Sequence, residues 1–135
     1  MKSLLYLFPL CCLWIVAGCV QEESHSQCGI ACGEGESVIE ILENRQGKIV
    51  HIQNLEQNLD YWFIDIDQNY FDKEGYSKSN ETTLIPCNPN QNFTNGSRVV
   101  VSGKRLNCCN LITWPQLRYS WGCKFEITSI ESIND

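Results

Sequence analysis

Cysteine is the residue that most restricts what this chain can become. There are nine in 135 residues. Cys11, Cys12 and Cys19 fall in or beside an apolar N-terminal run, and Cys28, Cys32, Cys87, Cys108, Cys109 and Cys123 are spread over the polar remainder. An even set at this density is typical of exported domains whose core is too small to be secure without stitches. Fifteen pairings of six cysteines are possible. Adjacent cysteines rarely bond each other because the ring is strained, so Cys108 and Cys109 are expected to have separate partners. The expected set is Cys87 with Cys108, Cys109 with Cys123, and Cys28 with Cys32. Closing the Cys109–Cys123 loop is worth about 3 kcal/mol by the loop-entropy argument. The competing reading is a metal or redox site. Cys28-x-x-x-Cys32 lacks the two-residue spacing of a redox pair and has no second Cys or His pair at zinc spacing, and His25 and His51 are not placed to complete one. The expectation is therefore stitches, with no metal and no cofactor.

The N-terminus reads as an address. Met1-Lys2-Ser3 is short and positive, and Leu4 to Val16 is uncharged and apolar, as in the core of a signal peptide. Val16-Ala17-Gly18-Cys19 then resembles the lipobox of bacterial lipoproteins. The resemblance implies removal of residues 1–18, a diacylglyceryl group on the Cys19 thiol and acylation, by palmitate or a similar chain, of the new amino group. Each buried methylene contributes ~0.8 kcal/mol and a single chain binds only marginally, so two or three chains make a lasting membrane anchor. Plain secretion with an incidental cysteine is one alternative. An uncleaved membrane helix reaching Val20 is another, disfavoured by Pro9 and the small-residue stop. Residues 19–35 then form a lipidated, flexible tether. No aspartate follows Cys19, and the Gln21-Glu22-Glu23 cluster looks like an acidic surface-export signal. Together they place the chain in a bacterial cell envelope, at the outer membrane and open to surface exposure. Asn80, Asn92 and Asn95 head N-glycosylation sequons, which matter only in a eukaryotic secretory route.

The formal net charge is -6, and loss of Lys2 leaves -7. Such a chain is a poor nucleic-acid ligand, and its length is short for a Rossmann or barrel enzyme. Residues 36–135 read as one domain of short strands separated by turn signals. Val38–Leu42 is ambiguous between strand and helix turn, and Asn44–Gly47 signals a turn. Lys48–Ile52 and Tyr61–Asp67 are strand-like. In the second of these, Trp62, Ile64 and Ile66 face one way, while Tyr61, Phe63, Asp65 and Asp67 face the other, with the aspartates toward solvent. Thr82–Ile85, Arg98–Val101 and the alternation around Phe125 and Ile127 follow. A bulge near Ser129 would explain the changed parity of Ile130 and Ile133. Three strands, an irregular or helical connection and two more strands is the order of an OB-type barrel. The expected fold is all-β: a small OB-like barrel of five or six strands with disulfide-braced loops.

Leu84-Ile85-Pro86-Cys87-Asn88, then Phe93, Gly96, Val99 to Val101, Ser102-Gly103, Cys108 and Phe125-Glu126-Ile127-Thr128-Ser129-Ile130 resemble a group of small bacterial envelope lipoproteins. Their pattern is Ile-Pro-Cys-Asn, Val-x-x-Ser-Gly and Ile-Thr-x-Ile, over roughly residues 47–133 of this chain. The resemblance implies an OB-like barrel and an envelope location, and it brings no established activity. Pro89 stands where the group has leucine, and the Cys108-Cys109 pair and the Leu111 to Gly122 insertion depart from it.

Chemistry-bearing patterns are few. Asp65-x-Asp67-x-Asn69 matches the start of a calcium loop, but Tyr70 and Tyr76 stand where glycine and glutamate belong. No nucleophile signature or phosphate loop is present, and no catalytic activity is expected. Trp114, Arg118, Tyr119 and Trp121 lie on one disulfide-braced loop. Such aromatic residues either cap the barrel or form a contact surface for a sugar or a protein. The expectation is a monomeric, non-enzymatic, lipid-anchored envelope domain presenting loops to a protein or glycan. Alternatives are a secreted disulfide-rich inhibitor or effector and a thiol-based metal-sensing envelope protein.

Overall fold

The computed structural model describes residues 36–87, 92–116 and 118–133. Seven strands are present: β1 (Val38–Asn54), β2 (Leu59–Asp65), β3 (Thr83–Pro86), β4 (Arg98–Leu106), β5 (Ile112–Thr113), β6 (Ser120–Trp121) and β7 (Cys123–Ser132). Five of them close into a barrel in the order β1-β2-β3-β7-β4, with β4 returning to β1, and β5 pairs with β6 as a separate hairpin. β3 and β7 run parallel, whereas every other neighbouring pair is antiparallel. This is the all-β, OB-like barrel with braced loops that the strand order predicts.

β1 is the frame. Its N-terminal half pairs with β4 and its C-terminal half with β2. The turn signal at Asn44–Gly47 does not end it. The strand runs unbroken through 17 residues, and one extra residue is absorbed as an irregularity between Leu42 and Arg45. Asn44 takes a left-handed φ of 49° there, and its N–H donates to Ser102 Oγ at 2.9 Å. Asparagine is one of the few residues that tolerates this conformation, so a turn residue serves as a bulge. β7 carries the expected second bulge: Ser102 faces Ser129 and Gly103 faces Ile127, with Thr128 squeezed out. Gly103 is required at that crossing, since a Cβ would lie 2.1 Å from the Glu126 carbonyl oxygen.

Alternation along the strands sorts the apolar residues into two cores. Leu42, Ile49, Ile64, Ile66, Leu84, Val99, Val101 and Phe125 come from all five barrel strands or their ends and fill the interior. Val50, Phe63 and Ile85 point to the outer face and are buried with Ile112 and Trp121 of the hairpin. The phase predicted for Tyr61–Asp67 therefore holds, but its outer side does not face water.

Asp65 shows this most plainly, because it is fully buried rather than solvent-facing. It sits on the outer face directly across from Lys48, which is also buried. The Asp65 carboxylate accepts from the Ser77 N–H at 2.7 Å, the Ser77 hydroxyl at 2.7 Å and the Asp67 N–H at 3.0 Å. The Lys48 ammonium donates to the carbonyls of Tyr70 (2.5 Å), Lys73 (3.1 Å) and Gly75 (2.7 Å). The two charges thus gather the long connection between β2 and β3 onto the barrel wall. Burial of a charge is tolerated only with such saturation. Asp67 is engaged differently, accepting from the Asn69 N–H as the cap of a short 3-10 turn at Gln68–Tyr70. The carboxylates of the calcium-like pattern accordingly face N–H and O–H donors, and among the described residues no three metal-ligating side chains converge.

Cys109 and Cys123 are bridged as expected, and Cys87 and Cys108 are disulfide-bonded as well. The signal segment, the lipidated tether with Cys19, and the expected Cys28–Cys32 pair lie outside the described residues. Replacing Lys48 by methionine keeps the length of the side chain but strips three carbonyls of their donor. It should cost about 2–4 kcal/mol in denaturant unfolding; a loss below about 0.5 kcal/mol would show that the ammonium organises nothing.

Candidate functional site

Alternate rungs of the β1–β2 ladder face outward, among them Lys48 with Asp65, Val50 with Phe63, and Ile52 with Tyr61. The first rung lies under the 70–77 segment, and the second lies under the hairpin. In the hairpin, Ile112 pairs with Trp121 and Thr113 with Ser120. Ile112 and Trp121 are fully buried against Val50, Phe63 and Ile85, and Leu111 and Trp114 pack at the margin of the same cluster. Burying two such side chains favours the docked hairpin by ~1.5–3 kcal/mol each. Against this, the buried Trp121 Nε1 has no hydrogen-bond partner among the described residues, and an unmet buried donor costs about 1–3 kcal/mol.

Beside the hairpin, part of the outer face stays open. A groove of about 660 Å³ lies between β1 (Lys48 to Ile52), the 71–76 segment and the Asn95–Gly96 turn. Val50, Ile52 and Tyr76 belong both to its wall and to the outer core. The groove and the hairpin seat are therefore neighbouring parts of one surface. The turn is tied to β1 by the His51 N–H donating to Asn95 Oδ1 at 2.9 Å and the Gly96 N–H to the Ile49 carbonyl at 2.7 Å. Asp72, Lys73 and Glu74 are exposed on the other lip, so the lip carries both signs of charge. The Arg98 guanidinium lies over the Phe71 ring at 4.0 Å and holds the segment from below. At the end of the barrel, His51 stacks on Trp62 with ring centroids 3.9 Å apart, and its Nε2 lies 2.5 Å from Asp60 Oδ1.

Of the four residues expected to form a contact loop, Arg118 and Tyr119 are exposed and Trp114 is half-buried. Trp121 is not available to a partner, being part of the core. Its position opposite Ile112 in the hairpin points it to the barrel wall. Tyr119 tilts over Trp121 with centroids 5.8 Å apart. It also influences Tyr76: burial first, and then the Tyr119 phenol, raise the Tyr76 phenol above its ordinary value. Tyr76 itself meets Phe63 edge-on at 5.3 Å and carries the Lys78 ammonium 4.8 Å from its centroid. Tyr76 thus belongs to the groove wall and, with Trp114, to the margin of the outer core, and Tyr119 acts on it from the hairpin loop. Sequence reasoning missed Tyr76 and Lys48. The available signal for Lys48 was a single charge opening an otherwise apolar strand; Tyr76, in a polar loop, gave none.

No known family model matches the chain, and no characterised protein is detectably similar to it. The site is therefore read from its geometry.

Tyr76 gives a pH test. Its folded value lies above its unfolded value, so the native state holds this proton more tightly. That contribution is complete below pH ~10, the ordinary tyrosine value, and is lost as pH rises toward the folded value. The denaturant midpoint should fall above pH ~10, and Tyr76→Phe should fall less over the same range. Parallel curves for the two proteins would contradict the assignment.

Proposed function

We propose that the chain is a non-enzymatic, lipid-anchored domain of a bacterial cell envelope. It meets a protein or glycan partner, as a monomer, through the hairpin and the adjoining groove. The observation that carries this reading is a groove walled by Tyr76 that shares Val50 and Ile52 with the outer core on which Trp114 packs, with exposed Tyr119 on the same loop as Trp114, stapled at its base by Cys109–Cys123. Rigid aromatic side chains give large contact area at low entropic cost. The lipobox-like Val16–Cys19 and the resemblance to small envelope lipoproteins support the anchor and an outer-membrane site. Disulfides engage Cys87, Cys108, Cys109 and Cys123, which weighs against the metal-sensing alternative, since a bonded sulfur offers no thiolate.

Intact mass of protein extracted from native membranes should show a chain beginning at Cys19 and bearing acyl chains. A soluble, unlipidated species would replace the anchored reading by the secreted inhibitor or effector. For the surface, purified peptidoglycan sacculi and a photo-crosslinker placed at Arg118 cover the two partner classes. Tyr119→Ala should reduce capture about tenfold or more while leaving stability within about 1 kcal/mol. Capture that is indifferent to Tyr119 and Trp114 would move the contact surface elsewhere.

A further inference from the structure

We propose that the β5–β6 hairpin is a lid over the outer face of β1–β3. The surface beneath it, continuous with the groove, would seat an aromatic or apolar segment of a partner protein in the hairpin's place. The inference rests on the contact-surface half of the proposed function and is independent of the lipid anchor.

Four observations carry it. The hairpin's contact with the barrel wall is apolar: Ile112 and Trp121 against Val50, Phe63 and Ile85. Among the described residues, the hydrogen bonds of Leu111 to Trp121 stay within the segment and its base, as in Thr113 Oγ1 to Ser120 Oγ (3.1 Å) and the Leu111 N–H to the Gly122 carbonyl (3.2 Å). Among the described residues, the buried Trp121 indole N–H has no acceptor in its seat, so apolar contact alone holds it there. Finally, the two legs enter through left-handed residues, Asn110 (φ 61°) and Gly122 (φ 91°), just inside the Cys109–Cys123 bridge. The bridge keeps the legs together, so β5 and β6 leave and return as one body. The occupant's chemistry is read from the hairpin itself, because this face already accepts a tryptophan and an isoleucine presented on paired strands. The groove, sharing Val50, Ile52 and Tyr76 with the covered face, is where such a segment makes first contact.

The Trp121 indole proton gives a direct readout, since burial and not a hydrogen bond protects it. In the full chain, its hydrogen exchange should be at least about a hundredfold faster than that of the slowest β2 and β4 amides, as sub-global opening requires. Gly122→Ala should accelerate it further by about tenfold, because the new Cβ would lie 2.6 Å from Ile85 Cδ1 in an already strained φ. The β2 and β4 amides of this variant should stay protected. The variant should also bind a synthetic peptide of residues 110–122, added in trans, about tenfold more tightly than the parent chain does. Exchange of the indole in step with the β2 and β4 amides of the unmodified chain would overturn the lid, whatever the variant does. A fast indole with no gain in peptide binding would overturn the assigned occupant. Loss of partner capture on Tyr119→Ala is read separately, so either idea can fail alone.

Discussion

Two opposite charges on one rung of a β-ladder determine how the rest of the outer surface is built. Lys48 and Asp65 face each other across β1 and β2, both buried. Asp65 is fully buried and Lys48 nearly so, and each is saturated from within the chain. Only the connection between β2 and β3 is near enough to do it. It supplies three carbonyls to the ammonium and the Ser77 N–H and hydroxyl to the carboxylate. Thr83, fully buried beside Asp65, extends the arrangement by donating to the Ser77 carbonyl at 3.3 Å. A segment with little regular structure is thereby held as firmly as a strand. Since its residues 71–76 form one wall of the groove, the groove's shape descends from that rung.

The second consequence is a barrel with apolar packing on both sides of one wall. A small closed sheet ordinarily sends alternate residues to water. Here β1–β3 send Val50, Phe63 and Ile85 outward into a second core under a two-stranded hairpin. OB-type barrels bind oligonucleotides and oligosaccharides with the face of their second and third strands and the flanking loops. In this chain that face is roofed by its own disulfide-braced segment. What stays accessible lies at the margin: Tyr119, half-buried Trp114 and Tyr76, and the groove. Contact chemistry has been moved from the sheet to the edge of its cover.

Much of the frame was legible from the residues. Alternation of Trp62, Ile64 and Ile66 against Tyr61, Phe63 and Asp65 assigns the right faces, and the parity change at Ile130 and Ile133 points to a bulge near Ser129, which the structure has at Thr128. The rarity of vicinal pairing gave Cys108 and Cys109 separate partners but did not itself choose Cys123 for Cys109, the pairing that the structure has. What was not legible depends on partners distant in sequence. Asp65 looks exposed because strand alternation reports a face but not what covers it, and the Ser77 that buries it is twelve residues away. Asn44–Gly47 looks like a chain reversal because its propensities are those of a turn. Only pairing with β4 converts it into an irregularity within a 17-residue strand. Strand alternation would give Tyr119 and Trp121 the same face, but Tyr119 lies before β6 and stays exposed, while Trp121 pairs with Ile112 and is buried.

The barrel closes through β7, which inserts between β3 and β4 with one parallel and one antiparallel partner. It is the last of the barrel strands in chain order. During synthesis, β1 to β4 therefore emerge with the two edges that will flank β7 still unpaired. Cys123 stands at the start of that strand, so Cys109 meets its partner only when the closing strand arrives. Oxidative stapling is thus coupled to ring closure. Until then the nascent chain is an open sheet with unpaired edges, the kind of edge that invites pairing with other chains, and closure waits on contacts distant in sequence.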